Sequence, residues 1–259
     1  MTSPVLVTRD GPIATVVLNN PARLNALNKP MWDRLGTTMR ELSADEQLRC
    51  VVLRGAGDKA FAAGADISEF ASERANARRA HEYGELIHAT MQAVNHCKHP
   101  VIAMIKGACV GGGLEIAAMC NLRICGEGSR FGVPIKNLGL TMGYGELQGL
   151  LALAGPAIAR EILLEGRVFD AREAYSKRLV NRVVPDDAVE HESYATAERI
   201  AAGAPLVARW HKQYIERLSV TAEITPTEWS TSYACFDTED YRIGVAAFLA
   251  KTKPHFKGR

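Results

Sequence analysis

Apolar positions along the chain follow two spacings. Short continuous runs rich in β-branched residues have the length and composition of buried strands. They are Val5-Leu6-Val7, Ile13 to Leu18, Cys50 to Leu53, Val101 to Ile105, Leu122 to Cys125, and Val180 to Val184, the last stopped by Pro185. Asp10-Gly11 between the first two is a hairpin signal. Trp32, Leu35, Met39 and Leu42 recur at helical spacing. Further helices are predicted from about Glu82 to Cys97, from Leu114 to Met119, from Ala157 to Leu164, and after Asp170, a suitable N-cap. Beyond about residue 186 the pattern is helical to the end. Strands and helices in alternation predict an α/β core. No segment of low complexity and no sequence repeat is evident.

Composition narrows the class. The 259 residues are 47% hydrophobic and 23% charged, an ordinary globular balance. Net charge is +2, from 31 basic and 29 acidic side chains, which argues against a nucleic-acid partner. No uninterrupted apolar run reaches membrane-spanning length. The start, Met1-Thr2-Ser3-Pro4, lacks the layout of a secretory signal. The six cysteines (Cys50, Cys97, Cys109, Cys120, Cys125, Cys235) form no CxxC pair and read as reduced thiols of a cytoplasmic protein. His96-Cys97-Lys98-His99 precedes Pro100 and reads as a helix end, so no metal is expected. Gly143 to Gly149 misses the dinucleotide fingerprint by one place, and no GxSxG elbow is present. His81 and His88, seven apart, read as a solvated or core-edge face.

Candidate chemistry concentrates at Gly111-Gly112-Gly113-Leu114-Glu115, where the Val101 strand passes through Lys106 to Val110 into a helix. Glycines let a ligand approach the backbone, and the unpaired N–H groups of a helix start suit an anion or a developing oxyanion. Glu115 sits beside that hole and could act as a general acid or base. A plain glycine turn opening a helix with Glu would also satisfy the dipole. A second loop of small residues, Ala60 to Ile67, follows the Cys50 strand and could aim another N–H at the same oxygen.

Together these segments resemble the crotonase superfamily, the enoyl-CoA hydratase/isomerase family. The matching residues are Arg23 to Leu27, Ala60 to Ile67, Gly107 to Glu115, Phe131-Gly132 with Pro134, Gly139, and the tail Ala247-Phe248 with Lys251 to Phe256. The resemblance implies an α/β spiral of ββα units over residues 1–200, with a helical oligomerisation region at 201–259 forming a homotrimer or homohexamer. It implies an acyl-CoA thioester as substrate, and no cofactor beyond the coenzyme A that the substrate carries. The thioester oxygen would be polarised by the N–H groups of Ala65 and Gly112, each such donor being worth about 3 kcal/mol. Arg23, Ala63, Ala65, Asp66, Ile67, Lys251 and Lys253 are the expected coenzyme A contacts, and Phe70 would line the acyl pocket.

The chain also departs from the family. Hydratases of this kind use two glutamates; Glu115 matches the first, but Ile135 stands at the second position. Ile135 and Met142 would wall the pocket, while Tyr144 and Glu146 bring polar groups near the acyl end. Glu146 could replace the missing acid or merely open a helix. Hydration or dehydration of an enoyl-CoA is the favoured reaction. Double-bond isomerisation by Glu115 alone, decarboxylation of a malonyl-type thioester, and a non-catalytic acyl-CoA-binding protein are the alternatives.

Overall fold

The computed structural model describes residues 3–219 and 222–259. Among the described residues ten strands form two sheets. The larger runs β1 (Val5–Asp10), β2 (Ile13–Leu18), β3 (Cys50–Gly55), β5 (Val101–Ile105), β7 (Leu122–Gly126) and β10 (Arg182–Val184), in that spatial order. The smaller runs β4 (Ala60–Ala62), β6 (Ala108–Val110), β8 (Arg130–Gly132) and β9 (Val168–Asp170). β1 pairs antiparallel with β2 through the Asp10–Ile13 hairpin; the rest of the large sheet is parallel.

Each central strand of the large sheet leads directly into a strand of the small one and then into a helix: β3 to β4, β5 to β6, β7 to β8. These successive ββα units are the spiral. The apolar runs are continuous because both faces of the large sheet are covered. Cys50 and Val52 of β3 face Val189, Ala197 and Ala201 of a helix on one side. Val51 and Leu53 join the main core on the other, with Trp32, Leu35 and Met39 from α1 (Lys29–Ala44).

Later helices follow in order. They are α2 (Phe70–Glu73), α3 (Ala77–Asn95), α4 (Gly112–Met119), α5 (Tyr144–Glu165), α6 (Ala171–Ser176), α7 (Val189–Ala201), α8 (Pro205–Leu218), α9 (Pro226–Thr231) and α10 (Glu239–Ala250).

Several boundaries differ from the sequence reading. α3 begins at Ala77 rather than near Glu82, because the Asn76 side chain caps it by accepting from Arg79 N at 3.0 Å. Its end falls where expected, with His96 N donating to Gln92 O. The Val180 strand shortens to Arg182–Val184. The helix expected from Ala157 is the second half of a longer one. α5 is long and apolar enough to cross a membrane by length and composition. It is broken, however, at Gly155 (φ 74°, ψ 170°), just before Pro156, into halves of 144–154 and 156–165. Each half is far short of the roughly 20 residues a span needs. Helix also stops at Ala250; the tail folds back, with Lys257 N and Gly258 N donating to the buried Asp240 carboxylate at 2.6 and 2.9 Å.

Candidate active site

The two glycine-bearing loops meet. Gly111 adopts φ 52° and ψ −123°, a conformation closed to residues with a Cβ, which turns the chain from β6 into α4. Gly113 lies so close to β4 that a Cβ there would overlap the Ala62 carbonyl oxygen. The helix start is thus pressed onto the neighbouring loop: a Cβ on Gly64 would sit 3.7 Å from the Gly112 nitrogen.

The pairing of the Ala65 loop fixes its amide direction. Leu27 bridges Ala65 in parallel, with Leu27 N donating to Gly64 O at 2.8 Å and Asp66 N donating to Leu27 O at 2.9 Å. In such a bridge the N–H of the central residue points away from the partner strand. Ala65 N–H therefore faces away from Leu27. Gly112 is the first residue of α4, whose N–H has no intrahelical partner. Among the described residues no backbone acceptor takes either group. Both residues line one pocket.

That pocket holds most of the expected constellation. Ala63, Ala65, Ile67, Phe70, Gly112, Glu115, Ile135, Met142 and Glu146 all line it. Glu115 is packed round by protein and keeps only part of its surface open to the lumen. Burial pushes its carboxyl up to about 8; the nearby Glu146 carboxylate adds to the rise and Arg74 opposes it. The acid form thus predominates at neutral pH. Glu146 lies in the first turn of α5, half-exposed.

Other residues are placed differently. Tyr144 is 95% exposed and does not line the pocket. Successive helical residues turn by about 100°, so Tyr144 points opposite to Glu146, two places on. Arg23 and Asp66 form an ion pair, Nη1 donating at 2.9 and 2.8 Å, and the same nitrogen reaches Ser68 Oγ at 2.8 Å. The Ser68 hydroxyl, followed by its backbone N–H and Arg23, holds the Asp66 carboxyl below its usual range. The pair ties the Arg23 segment to the Ala65 loop. Lys251 and Lys253 lie exposed beyond α10, and neither lines the pocket of its own chain. His81 pairs with Glu85 on the surface of α3, and His88 abuts Gly145.

One charged pocket residue escaped the sequence reading. Arg74, at the C-terminal end of α2, places its guanidinium carbon 4.4 Å from the Phe70 ring centre and 5.3 Å from that of Tyr83. The spacing of four from Phe70 was the available signal.

Two loops of a ββα spiral thus bring N–H groups without backbone acceptors and the Glu115 carboxyl to one pocket, an arrangement able to stabilise an oxyanion and exchange a proton. The enoyl-CoA hydratase/isomerase family model matches residues 8–259, and the chain belongs to that family. It is 34% identical to the short-chain-enoyl-CoA hydratase of Clostridium acetobutylicum, with 98% of each chain covered. It is 32% identical to the crotonyl-CoA hydratase of Syntrophomonas wolfei, with 97% of each covered. Among solved structures, an enoyl-CoA hydratase/carnithine racemase from Magnetospirillum magneticum superposes with a TM-score of 0.98 at 50% identity, covering 100% of this chain and 97% of the other. The Bacillus anthracis enoyl-CoA hydratase gives 0.90 at 30% identity, covering 99% and 100%.

Proposed function

We propose that the chain catalyses the reversible addition of water across the C2–C3 double bond of an enoyl-CoA thioester. The observation that carries this reading is the raised Glu115 carboxyl beside the converging Ala65 and Gly112 loops. The thioester oxygen accepts from the two N–H groups. Water oxygen bonds to C3, the π pair moves toward the thioester, and negative charge collects on that oxygen, where fixed donors in a closed site stabilise it. Glu115 then delivers its proton to C2. The Glu146 carboxylate takes the proton from the attacking water, in place of the family acid that Ile135 cannot supply. The names of the Clostridium and Syntrophomonas relatives support hydration. This chemistry asks for no cofactor beyond the coenzyme A of the substrate. Arg23, ion-paired to Asp66 beside the Ala65 loop, is assigned with Ala63 and Ile67 to the coenzyme A side.

The apolar Ile135 wall favours one second reading, in which Glu115 alone moves a proton between C2 and C4 and shifts the double bond.

We also assign the chain to a trimer or a dimer of trimers. In support, Phe248 is 83% and Leu249 76% exposed on α10, with Ile215 and Leu218 bare on α8, a large apolar surface for a single protomer. The buried unpaired thiols Cys50, Cys97, Cys109, Cys120 and Cys125 support a reducing, cytoplasmic setting.

The test is loss of the conjugated-thioester absorbance of crotonyl-CoA. Glu115→Gln and Glu146→Gln should each lower turnover by about 100-fold or more. If only Glu115→Gln is damaging and 3-enoyl-CoA is consumed instead, isomerisation is the reaction. If the wild type consumes neither, the proposal fails.

A further inference from the structure

Among the described residues the Arg74 guanidinium forms no ion pair and no hydrogen bond. Arg74 lines the pocket together with the apolar Phe70, Ile87 and Leu140. It is held in place by stacking on Phe70 at 4.4 Å and by the Tyr83 ring at 5.3 Å. Phe70 and Tyr83 offer it only ring faces. The carboxylates nearest in the chain are already engaged: Glu69 accepts from Lys29 N at 2.8 Å, and Glu73 from Lys29 Nζ at 2.7 Å. Two carboxyls share the pocket with it: burial pushes Glu115 toward its acid form, and Glu146, in the first turn of α5, stands beyond ion-pair distance of the guanidinium. A cation in a partly closed apolar cavity is stable when a ligand brings the counter-charge.

We propose that the acyl group accepted here ends in a carboxylate, which Arg74 binds. The substrate class is a dicarboxylic-acid mono-thioester of coenzyme A, with the thioester at the oxyanion hole and the free carboxylate on the guanidinium. The planar fork of Arg74 matches a carboxylate through two parallel N–H donors. Its field reaches Glu115, which places it at the reacting end of the pocket. This proposal rests on the acyl-CoA reading above.

Calorimetric titration with glutaryl-CoA and pentanoyl-CoA tests it, because the two thioesters have the same chain length and differ in the terminal carboxylate. Wild-type protein should bind glutaryl-CoA about tenfold or more tightly than pentanoyl-CoA. Arg74→Met should abolish that ratio, and Arg74→Lys, which keeps the charge and loses the fork, should keep part of it. The proposal is overturned if pentanoyl-CoA binds wild type as well as glutaryl-CoA does, or if the preference survives Arg74→Met. It is overturned too if Arg74→Met weakens both thioesters equally, which would place Arg74 on the phosphates of coenzyme A or in support of the fold. These ratios do not depend on turnover. Crotonyl-CoA hydration with equal binding of the two analogues sinks only this inference. Failure of both thioesters to bind sinks the acyl-CoA reading and this inference with it.

Discussion

Glu115→Gln should make the protein more stable, and increasingly so as pH rises. The native carboxyl sits at about 8 because burial, joined by Glu146, disfavours its charged form; a free glutamate ionises near 4.5. The folded state therefore holds a proton that the unfolded chain gives up. Below the unfolded value both states are protonated and the group adds nothing. Between the two values stability falls as pH rises, because unfolding releases a proton. With one pKa unit worth 1.36 kcal/mol, the burden is roughly 1 kcal/mol at pH 5 and roughly 4 kcal/mol at pH 8. Glutamine keeps the shape and removes the titration. The stability advantage of Glu115→Gln over wild type should thus grow by about 3 kcal/mol between pH 5 and pH 8. Urea unfolding of both proteins across that range reads it directly, at one fixed protein concentration because the proposed assembly would shift the midpoint. Parallel pH profiles for the two proteins would refute the buried, proton-holding Glu115. Such a gain in stability on removing a working group is the usual signature of an active site held against its own folding energy.

Gly112→Pro places proline at the first position of α4, which helices tolerate, but removes an N–H of the proposed hole; folding should survive by circular dichroism while turnover is lost. Gly113→Ala should destabilise by about 1–3 kcal/mol in denaturant titration, since its Cβ meets the Ala62 carbonyl on β4. Phe248→Glu with Leu249→Glu should convert the assembly to smaller species in light scattering; an unmodified chain that stays monomeric across micromolar concentrations would refute the assembly reading.

The large sheet was legible in the sequence because β3, β5 and β7 are buried on both faces and so write continuous apolar runs. The small sheet was not. β4, β6 and β8 are three residues each, too short to show alternation, and their small residues serve close packing against glycines such as Gly113. The ββα repetition consequently shows in the backbone and not in the sequence. Gly155 and Pro156 break α5 without ending it, so the helix predicted from Ala157 is only its second half. Glu115 and the two glycine loops were legible because their chemistry requires particular residues at a strand-to-helix turn. Arg74 stands close in sequence to Arg78 and Arg79, and nothing in residue type tells the three apart. Only the packing of α2 against α3 separates it from them, by setting it over Phe70 and Tyr83. Tyr144 departs from its expected place because two positions along a helix turn its side chain about 200° from that of Glu146.

The most direct test of the account is a crystal structure of the protein with a non-hydrolysable enoyl-CoA analogue bound. The thioester oxygen should lie about 3 Å from both the Ala65 and the Gly112 nitrogens, with a Glu115 carboxyl oxygen facing C2. A thioester oxygen bound away from those two nitrogens, or a Glu115 turned from the reacting carbons, would contradict it.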